Sequence, residues 1–393
     1  MDITQFVMAY GVEQDRLSPP AADGGKRRRH PLLPGAESLL RVLHPAGLNP
    51  PPAGGFFHLQ PPPLRGIMYC IIGWIGSILR EEHLLMRVID LENINYAMRN
   101  ETQFVLRCEE VFHDKISAAA AAILSNRQEK PVVALTGPSG SGKTTTAMRL
   151  QEYLQNLGVK VCLLSMDNFF LPLDKRPPEA TDWESPYCVD VDTLLTCISQ
   201  LLDGMEADIP WYDFKNGVTG GYKKMQGEKD CIVIAEGIHM LNPLIFDKLR
   251  GIANGVYVAP RTRIITNDDR IVRPEQLRVA RRLIRDYNTR GHSLQETVER
   301  AESVDRGEIN YIMPHKGNAA IHIDTFHDYE PCILAKYLNE IPQFRQELTP
   351  EYLEKHGLTD LMKVVGGVPP LHTHYVPRNS ILREFVGGSC YEY

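Results

Sequence analysis

The sequence predicts an α/β protein built on a mainly parallel sheet with helices on both faces. Two observations predict this fold: short apolar runs typical of buried strands, and segments of helical periodicity between them. The apolar runs cover residues 132–136, 159–165, 231–235, 256–259 and 319–323. The helical segments cover residues 100–126, 144–157, 191–202 and 274–290. Because two parallel strands need a long crossover between them, usually a helix, this alternation favours one parallel sheet.

The chain divides into four predicted segments. Residues 1–85 are rich in proline and glycine, so we expect a disordered extension there. The basic run at residues 26–29 is typical of a solvated tail, and an address signal or a nucleic-acid patch is the alternative. Residues 86–130 are predicted to form a helical lead-in, and residues 131–340 the core domain. We expect residues 341–393 to be a C-terminal extension that packs on that domain.

The bulk composition argues against several classes of protein. The 393 residues carry a formal net charge of -6, so no global basic field predicts binding to nucleic acid or to a membrane. The apolar run at residues 67–79 is shorter than the roughly 20 residues of a membrane-spanning helix. The 8 cysteines are dispersed and form no CxxC pair, which is typical of a reduced, cytoplasmic protein. The composition is compatible with a homo-oligomer.

A glycine-rich loop follows the first of the apolar runs. It has the pattern G-x-x-x-x-G-K-[ST], formed by Gly137, Pro138, Ser139, Gly140, Ser141, Gly142, Lys143 and Thr144. The glycines let successive backbone N–H groups face one centre, and the positive end of the next helix points at the same place. We expect Lys143 to reach the β- and γ-phosphates of a nucleotide, Thr144 to hold Mg²⁺, and Thr145 to contact the nucleotide. The alternative, a surface turn, lacks the flanking strand and helix found here.

Acidic residues follow two other predicted strands. Asp167 comes just after the apolar run at 159–165, and Glu236 directly follows the run at 231–235. In open α/β sheets, ligands bind at the carboxyl ends of the strands. A carboxylate there could take a proton from a phosphoryl acceptor or bind a metal. A helix cap or a loop salt bridge is the alternative for either residue.

Arginines crowd the segment from 270 to 290. They are Arg270, Arg273, Arg278, Arg281, Arg282, Arg285 and Arg290, four of them at helical spacing. Guanidinium groups stabilise the negative charge that spreads over phosphate oxygens during phosphoryl transfer. A solvated basic helix face, neutralised by nearby acids, is the alternative.

These motifs, in this order, resemble the uridine kinase / phosphoribulokinase family of P-loop kinases over residues 130–338. Besides the glycine-rich loop, the resemblance rests on residues 167–170 (DNFF), 182–186 (DWESP) with Asp190, 210–214 (PWYDF), 236–238 (EGI), and 282–286 (RLIRD) running to Arg290-Gly291. The segments 236–239 and 380–388 are similar to longer bacterial uridine-kinase-like proteins, which this chain resembles most.

The resemblance implies a P-loop NTPase-type fold with an arginine-rich helical lid, and a use of ATP and Mg²⁺. It implies that Asp167 acts as general base, that Lys143 and Arg285 assist transfer, that Thr144 and Glu236 serve the metal, and that Arg290 contacts the nucleotide. It places the acceptor substrate against Glu184, Phe170, Trp183, Tyr212 and Arg282. The implied reaction transfers the γ-phosphoryl group of ATP to the 5′-hydroxyl of a nucleoside similar to uridine or cytidine.

The acceptor motifs depart from the family pattern. Phe170 replaces a tyrosine, Glu184 replaces the aspartate that contacts the ribose diol, and His292 replaces a lid arginine. The segment 215–217 lacks the histidine and arginine that help to read the base. A kinase for another small alcohol, such as a sugar phosphate or a pantothenate-like compound, therefore stays open. So does a nucleotide-sensing P-loop protein without efficient transfer. Phe170 and Trp183 could also simply pack beneath the site.

Overall fold

The structure, a computed structural model, describes residues 87–393 apart from 181, 267, 269 and 292, and without the side chains of Arg290 and Arg345. The predicted extension at 1–85 lies outside the described residues. The strands are β1 (Val88–Asp90), β2 (Val132–Thr136), β3 (Val161–Ser165), β4 (Glu206–Asp213), β5 (Val218–Gln226), β6 (Ile232–Glu236), β7 (Ala253–Ala259), β8 (Arg263–Ile265), β9 (Ile271–Val272) and β10 (Ile321–Asp324).

Helices occupy much of the rest of the described chain. They are α1 (Leu91–Ala97), α2 (Glu101–Ser125), α3 (Lys143–Asn156), α4 (Val191–Leu202), α5 (Pro243–Leu249), α6 (Pro274–Arg285), α7 (Leu294–Gly307), α8 (Glu330–Glu340), α9 (Pro342–Glu347), α10 (Pro350–Lys355), α11 (Thr359–Gly366) and α12 (Arg383–Val386). Within the described part of the chain, no helix is both long enough and apolar enough to cross a membrane.

The five predicted strands form one sheet, in the order β10-β7-β2-β6-β3, and every neighbouring pair is parallel. Alternate side chains of these strands enter two separate hydrophobic clusters. Val133 and Leu135 of β2 pack with α2 and α3, whereas Val132 and Ala134 pack with α4 and α5. Since successive side chains of a strand point to opposite faces, the sheet is covered by helices on both sides. The predicted fold class is confirmed.

A β-hairpin was missed from the sequence. Strands β4 and β5 pair antiparallel, with Asp213 opposite Val218. Their connection contains Asn216 and Gly217, and Gly217 has φ +70°, in the left-handed region that favours glycine. An Asn-Gly pair between two alternating segments is a known hairpin signal, so the sequence did contain the information. A small sheet of three strands, in the order β1-β8-β9, also went unpredicted.

The helix predicted at 274–290 is present over its whole length but changes type near its C-terminal end. The α-helix α6 ends at Arg285, and residues Asp286–Arg290 form one turn of π-helix. Gly291 explains the change, because its N–H donates to the carbonyl of Asp286, five residues earlier. Gly291 itself has φ +65° and ends the segment.

The C-terminal residues share the main hydrophobic core. Phe344, Val364, Leu371, Ile381 and Phe385 are buried in the same cluster as the sheet residues Val133 and Leu135. Helix α12 packs close to α6, and Asn288 donates to the carbonyl of Phe385 (3.4 Å). This packing brings the end of the chain to the glycine-rich loop.

Candidate active site

The candidate site lies at the carboxyl edge of the sheet. Strand β6 lies between β2 and β3, and Glu236 at its end pairs in register with Leu135 of β2 and Ser165 of β3. The glycine-rich loop, Glu236 and Asp167 therefore emerge from three neighbouring strands at one edge. The sequence predicted this convergence from the rule that ligands bind at the carboxyl ends of parallel strands.

The glycine-rich loop adopts a backbone that its glycines make possible. Gly140 and Gly142 have φ +74° and +84°, values that other residues rarely adopt. A Cβ on Gly137 would lie 1.9 Å from the carbonyl oxygen of Val258, so only glycine fits against β7. The Nζ of Lys143 donates to the carbonyl of Pro138 across the loop (3.4 Å). Helix α3 begins at Lys143, and its first-turn N–H groups face the loop centre.

Thr144 and Glu236 meet beside this loop. The Thr144 hydroxyl donates to Oε1 of Glu236 (3.4 Å), and the Ser165 hydroxyl donates to the same oxygen (2.8 Å). Burial, together with the nearby negative charge of Asp167, raises the pKa of Glu236 to about 7. A cation bound here would favour the ionised carboxylate. Two oxygen ligands, one in the first turn of α3 and one at the end of β6, fit Mg²⁺, which prefers oxygen.

Asp167 lies on a short 3₁₀ turn, Met166–Phe169, that follows β3. Its side chain is exposed, so its carboxylate is open to a ligand in the cleft. Glu184 is half-buried and lies within electrostatic reach of Lys143, Asp167 and Arg282. Burial raises the pKa of Glu184 to about 7, and the positive charge of Lys143 opposes that rise. The predicted base, the phosphate-binding lysine and the predicted acceptor carboxylate thus share one electrostatic neighbourhood.

Local contacts fix the position of Glu184. Its backbone N–H donates to Oδ1 of Asp182 (2.8 Å), which holds the turn before it. Its side chain rests on Gly307 at the end of α7, where an added Cβ would lie 2.3 Å from the Cβ of Glu184. Gly307 therefore permits the close approach of this acceptor-side carboxylate to α7. Gly307 was not predicted as part of the site, because no local sequence pattern marks it.

The arginines of α6 separate into different roles. Arg281 is fully buried and pairs with both carboxylate oxygens of Glu330 (2.6 and 2.7 Å). It also donates to the carbonyls of Gly140 (3.1 Å) and Ser141 (3.3 Å), so it stabilises the backbone of the glycine-rich loop. Arg278 pairs with Glu308 (2.6 Å). Arg278 and Arg281, two of the helically spaced arginines, therefore have structural roles.

Arg282, Arg285 and Arg290 are the other arginines that the sequence assigned to the site. Arg282 donates through Nη1 to the carbonyl of Ser139 (3.3 Å), and its Nη2 lies 3.9 Å from Oδ1 of Asp305, whereas its Nε has no hydrogen-bond partner. Burial lowers the pKa of Arg282 to about 10, still well above neutral pH. Arg285 is mostly buried and donates to Asp286 (3.1 Å). The side chain of Arg290 lies outside the described residues, so its predicted contact with nucleotide stays a prediction.

The predicted acceptor aromatics form one cluster with Phe214. Ring centroids lie 6.1 Å apart for Phe170 and Trp183, 5.7 Å for Phe170 and Tyr212, and 4.9 Å for Tyr212 and Phe214. Phe170 and Tyr212 are 6% exposed, whereas Trp183 is 43% exposed. The buried pair therefore supports the site from within, and Trp183 offers surface to a ligand. The guanidinium of Arg176 stacks on Trp183 at 3.9 Å.

Two residues from the end of the chain reach the glycine-rich loop. Oε2 of Glu384 accepts from the hydroxyl of Thr145 (2.7 Å) and from its backbone N–H (3.4 Å). The Tyr393 hydroxyl lies 3.0 Å from the same threonine oxygen. The sequence showed no local signal for these contacts, since the partners are more than two hundred residues apart.

Comparisons with known proteins found a matching family and several relatives. The family model described as "Phosphoribulokinase / Uridine kinase family" matches residues 132–330. The chain is 31% identical over 204 residues to the uridine kinase of Anoxybacillus flavithermus, covering 50% of this chain and 87% of that protein. It is 29% identical over 184 residues to the uridine kinase of Ligilactobacillus salivarius, covering 46% of this chain and 78% of that protein.

A solved structure described as a possible uridine kinase from Bacillus stearothermophilus is also similar. It is 23% identical, covers 37% of this chain and 79% of that one, and gives a TM-score of 0.32. The family match spans the whole sheet, from β2 to the start of α8, including the loop and both strand-end acids. By that match, the chain belongs to the phosphoribulokinase / uridine kinase family of P-loop kinases.

Proposed function

We propose that this protein transfers the γ-phosphoryl group of ATP to the 5′-hydroxyl of a nucleoside similar to uridine or cytidine. One observation carries the proposal: Lys143, Asp167, Glu184 and Arg282 interact electrostatically at the carboxyl edge of the sheet. A kinase needs its phosphate-binding lysine, its base and its acceptor contact in one place, because phosphoryl transfer depends mainly on positioning and charge.

Each residue has a distinct part in this mechanism. Lys143 and the N–H groups of the loop bind the transferred phosphate and its neighbours. Asp167 accepts the proton of the acceptor hydroxyl, since its exposed carboxylate is free to face that group. The Nε of Arg282 has no hydrogen-bond partner and can donate to an oxygen of the transferred group. Arg285 and Arg290 are proposed to complete this charge stabilisation.

Thr144 and Glu236 are the residues that would hold Mg²⁺. A Mg²⁺ ion held by these two residues would supply positive charge that neutralises the nucleotide phosphates. Within the described ranges, no group of three or more histidine, cysteine, aspartate or glutamate side chains could hold a metal alone. This suits Mg²⁺, which commonly takes one or two protein ligands and completes its shell with water and substrate phosphates.

The acceptor is proposed to lie between Glu184 and the aromatic cluster. A carboxylate offers two oxygens, so Glu184 can accept from two neighbouring sugar hydroxyls. Trp183, the most exposed ring of the predicted acceptor set, would cover one face of the sugar or the base. The relatives named as uridine kinases support a nucleoside as the acceptor.

One observation favours a second candidate, a kinase for another small alcohol. The residues after Phe214 turn back on their own strand: Lys215 and Asn216 both donate backbone N–H groups to Asp213. The side chain of Asn216 also donates to Asp213. Asn216 is thereby engaged in the hairpin turn, so this segment offers less for reading a base than the family pattern does.

The test is a measurement of ADP release by the full chain with ATP, Mg²⁺ and a panel of acceptors. The panel contains uridine, cytidine, adenosine, ribose, ribose 5-phosphate and pantothenate. We expect turnover of uridine or cytidine above the rate without acceptor. Turnover of a sugar phosphate or pantothenate alone would select the second candidate. If no acceptor raises ADP release above the rate without acceptor, although ATP binds tightly, the result would favour a nucleotide-sensing protein instead.

The role of Glu184 has its own test. If Glu184 binds the ribose diol, uridine should be phosphorylated about tenfold better than 2′-deoxyuridine, because the missing hydroxyl leaves a buried partner unpaired. Glu184→Ala should remove most of this discrimination. The exposed Glu179→Ala serves as the control and should keep it. Equal kcat/KM for both nucleosides in the unaltered protein would exclude Glu184 from the diol role.

A further inference from the structure

The end of the chain places a carboxylate on a predicted nucleotide contact. Glu384, in α12, accepts hydrogen bonds from both donors of Thr145, its hydroxyl and its backbone N–H. Thr145 is buried in the first turn of α3, directly after the phosphate-binding lysine and Thr144. Backbone N–H groups at this position are among those that bind nucleotide phosphates in P-loop proteins.

Other contacts hold this carboxylate where it is. Tyr391 donates its hydroxyl to Glu152 of α3 (2.6 Å), which ties the last residues to the same helix. A Cβ on Gly142 would lie 2.3 Å from Cδ1 of Ile381, so the chain before Glu384 rests directly on the loop. The Thr145 hydroxyl has one proton and gives it to Glu384, so Tyr393 must donate in its own contact with Thr145.

We propose that Glu384 is a further residue of the nucleotide site. Its carboxylate occupies the position of a nucleotide phosphate oxygen at Thr145 and so sets the affinity for nucleotide. Two anions cannot share the same two donors. Nucleotide binding therefore displaces the carboxylate from Thr145, and the affinity falls by the fraction of molecules in which Thr145 is free. This inference rests on nucleotide binding by the loop and not on the identity of the acceptor.

Electrostatics supports the competition. Glu384 also lies close enough to Glu236 to raise the pKa of that buried acid. Its charge is therefore felt at the proposed metal ligand as well as at Thr145. A negative group so placed repels an incoming phosphate, whereas a group that only positioned the loop would not need to be charged.

A plain cap role is the competing explanation. A carboxylate at a helix N-terminus stabilises the helix by satisfying free N–H groups and by its interaction with the helix dipole. In that case, removing the charge would lower stability and leave nucleotide affinity unchanged or weaker. The two explanations predict opposite changes in affinity, which makes them separable.

The experiment measures ADP binding in the presence of Mg²⁺ by isothermal titration calorimetry, using the full chain. Glu384→Gln keeps the size and one oxygen acceptor but removes the charge. We expect it to bind ADP about tenfold more tightly. The affinity of this variant for inorganic tripolyphosphate, which lacks the base and sugar, should rise by a similar factor. Glu392→Gln makes the same charge change at an exposed position of the same segment and is the matched control, with no expected change.

The outcomes separate this inference from the proposed function. ADP binding by the unaltered chain, with equal or weaker binding by Glu384→Gln, overturns the inference and leaves the kinase proposal standing. If the unaltered chain does not bind ADP, the proposed function fails with it. A gain shared by Glu392→Gln would indicate a general charge effect and would also overturn the role of Glu384. Thermal denaturation checks folding, and Glu384→Ala repeats the test if the glutamine variant does not fold.

Discussion

The buried pair between Arg281 and Glu330 gives the sharpest prediction about stability. Both side chains are 0% exposed, and the guanidinium makes two hydrogen bonds to the carboxylate. The same guanidinium donates to the carbonyls of Gly140 and Ser141 and to that of Thr325 (3.1 Å). Arg281→Ala would leave the Glu330 charge buried without a partner and would remove donors from three carbonyls.

The expected loss follows from the cost of an unpaired buried charge. Removing one partner of a buried pair typically costs about 3–5 kcal/mol, so we expect Arg281→Ala to lower the free energy of unfolding by that amount. Because two of the freed carbonyls belong to the glycine-rich loop, ADP affinity should fall as well. Urea denaturation measures the first effect and calorimetric titration of ADP the second.

A double variant and a surface control test whether the loss of stability comes from the unpaired buried charge. Arg281→Ala with Glu330→Ala should lose less than the sum of the two single losses, because neither charge is then left unpaired. Arg306→Ala, at an exposed position of α7, should stay within about 0.5 kcal/mol of the unaltered protein. A loss below about 1 kcal/mol for Arg281→Ala, or strict additivity in the double variant, would refute the role given to this pair.

Three further predictions concern the site itself. Lys143→Ala should lower the rate of transfer by about 10²–10³, and near-normal turnover would contradict the assignment of the phosphate-binding loop. Asp167→Asn should lower turnover by roughly 10²–10⁴ with little change in ATP binding, whereas lost binding with turnover kept would make Asp167 a metal or structural residue. The raised pKa of Glu236, about 7, means that the native state keeps its proton at pH values where the unfolded chain has lost it. The stability from Glu236 is therefore fully present below the unfolded pKa and is lost as the pH rises through about 7. Glu236→Gln should flatten the pH dependence of the unfolding free energy between the unfolded pKa and about pH 7. An unchanged slope would contradict the buried, protonated state.

The sequence by itself determined the phosphate-binding loop and the strands around it. Gly140 and Gly142 have positive φ values that favour glycine for local backbone reasons, and the short length of the apolar runs between helical segments predicted buried strands. The strand-end acids Asp167 and Glu236 followed from the rule for parallel sheets. All these features are local in sequence, or depend on a rule that holds for the whole fold class.

The division of labour among the arginines was decided only by the tertiary structure. Arg281 and Arg282 are neighbours in sequence and were predicted together, yet one is fully paired in the core and the other keeps an Nε without a hydrogen-bond partner. Helical spacing tells which residues share a face, but it does not tell what packs against that face. The partner of Arg281, Glu330, comes from a helix 49 residues further along the chain.

The contact between Thr145 and Glu384 was beyond any local pattern for the same reason. Its partners are 239 residues apart, and they meet because Ile381 and Phe385 are buried in the core that the sheet also fills. Local patterns specify strands, helices and turns, since these depend on neighbours along the chain. Which side chains from distant segments reach the site depends on how the elements pack, and that packing minimises exposed apolar surface over the whole chain at once.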